Sequence, residues 1–292
     1  MRAIEARELK PLGIGEIVDV AVNIFLRNFG TLLKIVAIVI VPLTILTFLL
    51  DLLALQEASI TDPNAALYEA NNGEFRVLNE STYNIAMAIQ ALVMLLGTTL
   101  AIASILRAVG RAYVGQEVDA GESLRFGLGR IHSIIWISIL YGLGVGIGFI
   151  LLVIPGIWLM IAWSLCLPVL IFEGLKGSKS LGRSNKLVNK HWWHTFGALL
   201  LGYILIVVVQ LVLPLLVELI AGSVESVELY AALLDIANGL TNLLVLPLFG
   251  ALLTVIYYDL RVRKEGYDVQ LLTQELSGET AQPPTGSEPT PA

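Results

Sequence analysis

Six stretches of this chain, at about residues 31–55, 83–107, 133–153, 156–173, 196–221 and 231–259, are apolar over the roughly 20 residues that a helix needs to cross a bilayer. That feature excludes most folds. In hydrocarbon every backbone N–H and C=O must find a partner within the protein, and a single apolar run meets that demand as an α-helix. Composition agrees, with 56% apolar and 14% charged residues, where soluble domains carry about 25% charged residues. The expected fold is therefore all-α, a polytopic bundle of six transmembrane helices with amphipathic helices at one interface. Residues 1–264 are read as one membrane domain. The N-terminal "MRAIEARELKPLGIGEIVD" has no apolar core or small-residue cleavage site of a signal peptide, so the mature chain is expected to start there.

Orientation follows from the cations. Of the eighteen Lys and Arg, only Arg76 lies in the connections 56–82, 154–156 and 222–230. The rest lie near the N-terminus, at 107–130, at 176–190 and at 261–264. Both termini are expected on the cytoplasmic side. The third and fourth spans form a hairpin, its turn expected at Pro155-Gly156 in "VIPGIW". The polar, acidic segment 56–82 faces outside and is read as a solvated connector, with a ligand cap as the alternative. The C-terminal part, 265–292, ends in "GETAQPPTGSEPTPA"; it cannot bury a core and is expected to be a cytoplasmic, mostly disordered tail.

The segment "KGSKSLGRSNKLVNKHWW" (176–193) concentrates cations in an otherwise acidic chain. At about 100° per residue, Lys179, Arg183, Lys186 and Lys190 share one face of a helix, and Leu181, Val188 and Trp192 the opposite one. Such a helix lies in the membrane interface, apolar side down, with Trp192 and Trp193 as anchors where the fifth span begins. Anionic lipids gain about 1 kcal/mol per nearby cation. The alternative is that these cations only enforce topology.

Two further segments have this character. Residues 14–29 put Glu16, Asp19, Asn23 and Arg27 on one face and Ile14, Ile17, Val18, Ala21 and Phe25 on the other. In 119–132, Asp119 is an expected N-cap with Glu122 three residues on, followed by a stripe of Leu124, Leu128 and Ile131. The chain reads as three units, each an interfacial helix followed by a transmembrane hairpin.

Within the spans, Asp235, Asn238 and Asn242 recur at i, i+3 and i+7 on the sixth. Asn84 and Gln90 lie on the second, and Gln210 and Glu218 on the fifth. They are candidates for a polar cavity, with interhelical hydrogen bonding as the alternative. Pro42, Pro168, Pro214 and Pro247 fall within spans, as kinks or as breaks that expose carbonyls. The pairs Gly142-xxx-Gly146 and Gly144-xxx-Gly148 favour close helix contact, within the chain or between subunits. Cys166, in an apolar run, is read as a small buried hydrophobe. His132, His191 and His194 have no third ligand or partner carboxylate near them in sequence, and no nucleotide-binding glycine loop is present. Accordingly no enzyme activity, cofactor, metal or nucleic-acid partner is expected.

"LKPLGIGEIVDVAVNIFLRNFGTLL" (9–33), "LPVLIFEG" (167–174), "SLGRSNKLVNKHWW" (180–193) and "YYDLRVRKEGYDVQLL" (257–272) together resemble the bacterial glycerophosphoryl diester phosphodiesterase membrane-domain family. The resemblance spans nearly all of the chain up to residue 272. It implies a six-helix bundle in the bacterial cytoplasmic membrane, fused in some relatives to a soluble phosphodiesterase domain. Only residues 273–292 follow the last motif, so the family name implies no activity here. The function expected is that of a non-catalytic module engaging anionic lipid at the cytoplasmic leaflet through Lys179, Arg183, Lys186, Lys190, Trp192 and Trp193. It would support envelope or lipid-linked processes through a protein partner or as a homo-oligomer. The alternative is a small-molecule permease using Asp235, Asn238, Asn242 and Gln210.

Overall fold

A computed structural model describes residues 11–61, 70–71, 74–75, 80–221 and 227–266. Their helices are α1 (Ile14–Arg27), α2 (Phe29–Thr61), α3 (Glu80–Tyr113), α4 (Ala120–Leu151), α5 (Val153–Ala162), α6 (Cys166–Glu173), α7 (Ser178–Val188), α8 (Trp192–Ala221) and α9 (Val227–Glu265). A two-residue antiparallel ladder pairs β1 (Ala70–Asn71) with β2 (Glu74–Phe75). Among the described residues, six stretches are long and apolar enough to cross a membrane, in α2, α3, α4, α5 with α6, α8 and α9. The chain is an all-α multi-pass membrane protein. The tail beyond 266 lies outside the described residues, as does most of the connector expected over 56–82.

The last part of α9 is the axis of the bundle. Residues 250–262 are buried without interruption, an all-round enclosure unlike the one-sided burial of a surface helix. α1, α2, α3, α6, α7 and α8 all pack against α9. Tyr113 from α3 stacks on Tyr258 with ring centroids 4.6 Å apart, and Phe172 from α6 lies 5.1 Å from the Tyr257 ring. At the periphery, Leu211 and Leu219 on α8 and Leu143, Ile150 and Ile154 on the α4–α5 hairpin are exposed. Apolar exposure of that kind suits hydrocarbon surroundings.

Proline decides where the fourth span breaks. The expected hairpin forms, but its turn is at Leu152, extended at φ −164° and ψ 150°, rather than at Pro155-Gly156. Pro155 instead stands in the first turn of α5, where its missing N–H costs nothing and its ring would oppose an unbroken helix at the i−4 carbonyl. Pro168 repeats this arrangement in the first turn of α6, and the chain leaves the helix upstream of it at Trp163–Leu165. By contrast, Pro42, Pro214 and Pro247 lie inside the continuous helices α2, α8 and α9. Of the two alternatives, kink or break, the break does not occur at these three.

The amphipathic segments come out differently from one another. α1 forms as a separate helix with Ile17, Ala21 and Ile24 buried. The segment 119–132 is not separate. It is the first part of α4, which runs unbroken to Leu151. Asp119 does cap it, its carboxylate accepting the Glu122 N–H at 2.6 Å. α7 is separate, but its buried residues Ser180, Leu181, Ser184, Leu187 and Val188 face protein. Its apolar side meets α5, α6 and α9 rather than acyl chains, which corrects the expected placement apolar side down in the membrane.

Of the interleaved glycine pairs, one makes the helix contact. A Cβ at Gly144 would lie 2.2 Å from the Trp163 ring, and one at Gly148 3.0 Å from Gly156 Cα, so these two bring α4 against α5 within the chain. Nothing lies within 4 Å of a Cβ at Gly142 or Gly146.

Candidate functional site

The charged groups gather at the end of the bundle where α3, α6 and α9 finish and α4 and α8 begin. Asp259 is at its centre, with a side chain 0% exposed. A buried carboxylate is tolerated only when its lone pairs are occupied, and here they are. Leu12 N–H donates to Oδ1 at 2.8 Å, Arg263 Nε to Oδ2 at 2.9 Å, and His194 Nε2 lies 3.0 Å from Oδ2. Arg263 also donates to the Leu12 carbonyl. One acidic residue thereby ties α9 to the segment entering α1 and to the first turn of α8.

A second network holds α7. Arg183 lies between two carboxylates, with Nε 2.7 Å from Glu173 and Nη1 2.6 Å from Glu265. Burial alone would lower its pKa, but Glu265 and Glu173 outweigh that and hold the guanidinium above its ordinary range. Tyr257 Oη donates to Glu173 at 2.9 Å, and Lys264 Nζ donates to the Lys186 and Asn189 carbonyls, where α7 ends. A cation suits that position, because the last carbonyls of a helix carry partial negative charge. A third network pairs Glu122 with Arg107 at 3.0 Å and Arg111 at 2.9 Å. Nearby, Arg107 and Arg130 both rest on the Phe126 ring, 4.6 Å from its centroid.

The expected lipid-contact residues thus separate into two groups. Arg183 is committed to Glu173 and Glu265. Lys179, Lys186 and Lys190 are exposed on α7 and just beyond it, with no carboxylate partner for their ammonium groups among the described residues. Trp193 is 76% exposed, whereas Trp192 is half-buried and stacks on Phe196 with centroids 5.4 Å apart. His191 precedes them, its pKa held below the ordinary value by burial and then by Lys264, Arg263 and His194.

α7 is also bolted to the break in the fourth span. Ser184 Oγ accepts the Leu165 N–H at 3.1 Å and donates to the Ala162 carbonyl at 2.9 Å, while Ser180 Oγ donates to the Cys166 carbonyl. These two serines satisfy backbone groups that the missing helical turn leaves open. Beside the break is a cleft of about 590 Å³, walled by the hairpin (Tyr141, Ile161), by Cys166, by α8 (Phe196, Leu199) and by α9 (Leu253). Leu200 and Tyr203 also line it and stand on the exposed face of α8, so the cleft opens sideways. Its hydroxyls are mostly engaged: Ser164 donates to the Ile161 carbonyl at 2.9 Å, and Tyr141 reaches the Met160 carbonyl at 3.4 Å.

The candidate polar site inside the membrane is less defined. Gln210 on α8 and Asn242 on α9 are both exposed at the protein surface, and neither lines this cleft. The side chains of Asp235 and Asn238 lie outside the described residues. Among the described residues, no three or more of His, Cys, Asp and Glu converge as they would around a metal ion.

Sequence reasoning missed Asp259, Glu173, Glu265 and Glu122 as organisers. The available signal was acids interleaved with the cations at helix ends, as in "YYDLRVRKE" (257–265). It also missed the cleft, which four separated segments build. No family model, curated protein or solved structure matches this chain.

Proposed function

We propose that the protein is a non-catalytic integral membrane module that engages anionic lipid at the cytoplasmic leaflet of the bacterial cytoplasmic membrane, with both termini cytoplasmic. The observation that carries the reading is the set of exposed ammonium groups at Lys179, Lys186 and Lys190, unpaired with carboxylates among the described residues and followed by the exposed Trp193. Arg183, in the same stripe, is held by two carboxylates and serves the fold. A stripe that acted only as a topology signal has no need to keep Lys179 and Lys186 on a rigid helix with Lys190 just past its end. α7 is fixed by buried serines, by Arg183 and by Lys264, so its lysines present a preorganised surface to lipid phosphates. The resemblance to the glycerophosphoryl diester phosphodiesterase membrane-domain family is consistent with a role in envelope or lipid-linked processes through a partner.

The test is the lipid that co-purifies. Extracted phosphatidylglycerol and phosphatidylethanolamine are quantified per protein for wild type and for a variant with Lys179, Lys186 and Lys190 changed to Gln. Enrichment of the anionic lipid on the wild type alone is the expected outcome; equal enrichment on both proteins contradicts the reading. The permease alternative predicts instead that Asp235→Asn loses transport while lipid enrichment stays unchanged.

A further inference from the structure

We infer that the sideways-opening cleft between the α4–α5 hairpin and α8 and α9 seats an acyl chain of the lipid whose headgroup the α7 lysines attract. The inference rests on the lipid reading above and adds a place for the tail.

Four observations converge on it. First, the cleft's volume of about 590 Å³ falls within the range of about 300–1,000 Å³ typical of small-molecule sites. Second, its walls are mostly apolar side chains; the Ser164 and Tyr141 hydroxyls are turned to backbone carbonyls, and Ser138 on α4 adds one further hydroxyl, which leaves little to recognise a polar solute. Third, it lies within membrane-spanning segments and opens through Leu200 and Tyr203 on the outer face of α8, where the surrounding medium is hydrocarbon. Fourth, it is continuous with the charged end. Phe196 lines the cleft and stacks on Trp192, which meets Trp193 edge-on at 4.8 Å, two residues beyond the Lys190–His191 step. A lipid lying there has its tail among Ile161, Leu199 and Leu253 and its phosphate at the aromatic and cationic rim. The α7 serines hydrogen-bond to the backbone at 162–166, so the helix that carries Lys179 and Lys186 is joined directly to the wall of the cleft.

The experiment uses the full chain in vesicles containing phosphatidylglycerol with a photoactivatable diazirine in one acyl chain, or phosphatidylcholine with the same chain. Labelled peptides are mapped for wild type, for the cleft-filling variants Ser138→Phe and Leu199→Trp, and for the Lys179, Lys186 and Lys190 to Gln variant. In the wild type, label is expected to concentrate on 160–167 and 196–203 relative to the exposed positions Leu143 and Leu219, more with phosphatidylglycerol. Each filling variant should lose the cleft label at least several-fold while keeping the label at Leu219, which reports an intact, inserted protein. Label spread evenly over the lipid-facing surface of the wild type overturns the acyl-chain site and leaves the lysine reading standing. Cleft label that is equally strong with both lipids supports the acyl-chain site and overturns the lysine reading.

Discussion

The carboxylate of Asp259 accepts the backbone N–H of Leu12 at 2.8 Å, joining residues 247 apart in the chain. Arg263 and His194 share the same carboxylate, so the entry to α1, the start of α8 and the end of α9 meet at one buried charge. Removing one partner of a buried ion pair costs about 3–5 kcal/mol, because the other charge is stranded. Asp259→Ala is expected to lower the thermal midpoint in detergent strongly, and Asp259→Asn less, since an amide oxygen still accepts from Leu12. If both variants melt with the wild type, Asp259 does not hold these segments together.

Ser184 is 0% exposed and bonds to Ala162 at the end of α5 and to Leu165 at the entry to α6, on either side of the break. Ser184→Ala removes both hydrogen bonds and leaves the Leu165 N–H buried without its acceptor, a cost of about 1–3 kcal/mol. The expected result is a lower midpoint together with faster hydrogen exchange at Leu165 and its neighbours. Unchanged exchange there would contradict the pinning of the break by α7.

Legibility in the sequence depended on the kind of interaction. The six spans and the hairpin were readable because apolar length and charge-free connections are local properties. The Asp119 cap was readable for the same reason. The position of the hairpin turn was not: Pro155 acts on the backbone upstream of itself, so the chain turns at Leu152. α7 was readable as an amphipathic helix, but its environment was not. A face made of Leu181, Leu187 and Val188 suits a bilayer and a protein wall equally well, and only the location of Ser180 and Ser184 beside a broken helix decides between them. In sequence Arg183 is indistinguishable from the other three cations of the stripe, because its acids come from Glu173 and from Glu265 on another helix. Long-range pairing of that kind has no periodicity.

The glycine pairs in α4 give a test of direction. Gly144→Ala places a methyl against the Trp163 ring and should cost about 1–3 kcal/mol through overpacking. Gly142→Ala meets open space and should be neutral or stabilising, since alanine favours a helix over glycine by about 0.8–1 kcal/mol. Equal effects on the melting midpoint would show that α4 does not pack on α5 through the Gly144 face.

His191 makes a pH prediction. Its pKa in the folded protein lies below 6.5, through burial and then Lys264, Arg263 and His194, with Asp259 opposing. The unfolded chain therefore takes up the proton first as pH falls through about 6.5, and stability is lost from there down to the lower folded pKa. Stability measured from about pH 7.5 to pH 5.5 should fall less steeply in His191→Gln than in the wild type. An identical slope in the two proteins would remove His191 from the acid response.

The exposed lysines, and not the stripe as a whole, are proposed to select lipid. Native mass spectrometry of the protein with mixed phosphatidylglycerol and phosphatidylcholine tests it most directly, comparing wild type, Arg183→Gln, and the Lys179, Lys186 and Lys190 to Gln variant. At about 1 kcal/mol per cation, the three lysines together contribute on the order of 100-fold preference for the anionic lipid at most. The expected result is a preference that survives in whatever Arg183→Gln protein remains folded and collapses in the lysine variant. The contradictory result is a preference equal in wild type and lysine variant, which would make the cations a signal for topology and nothing more.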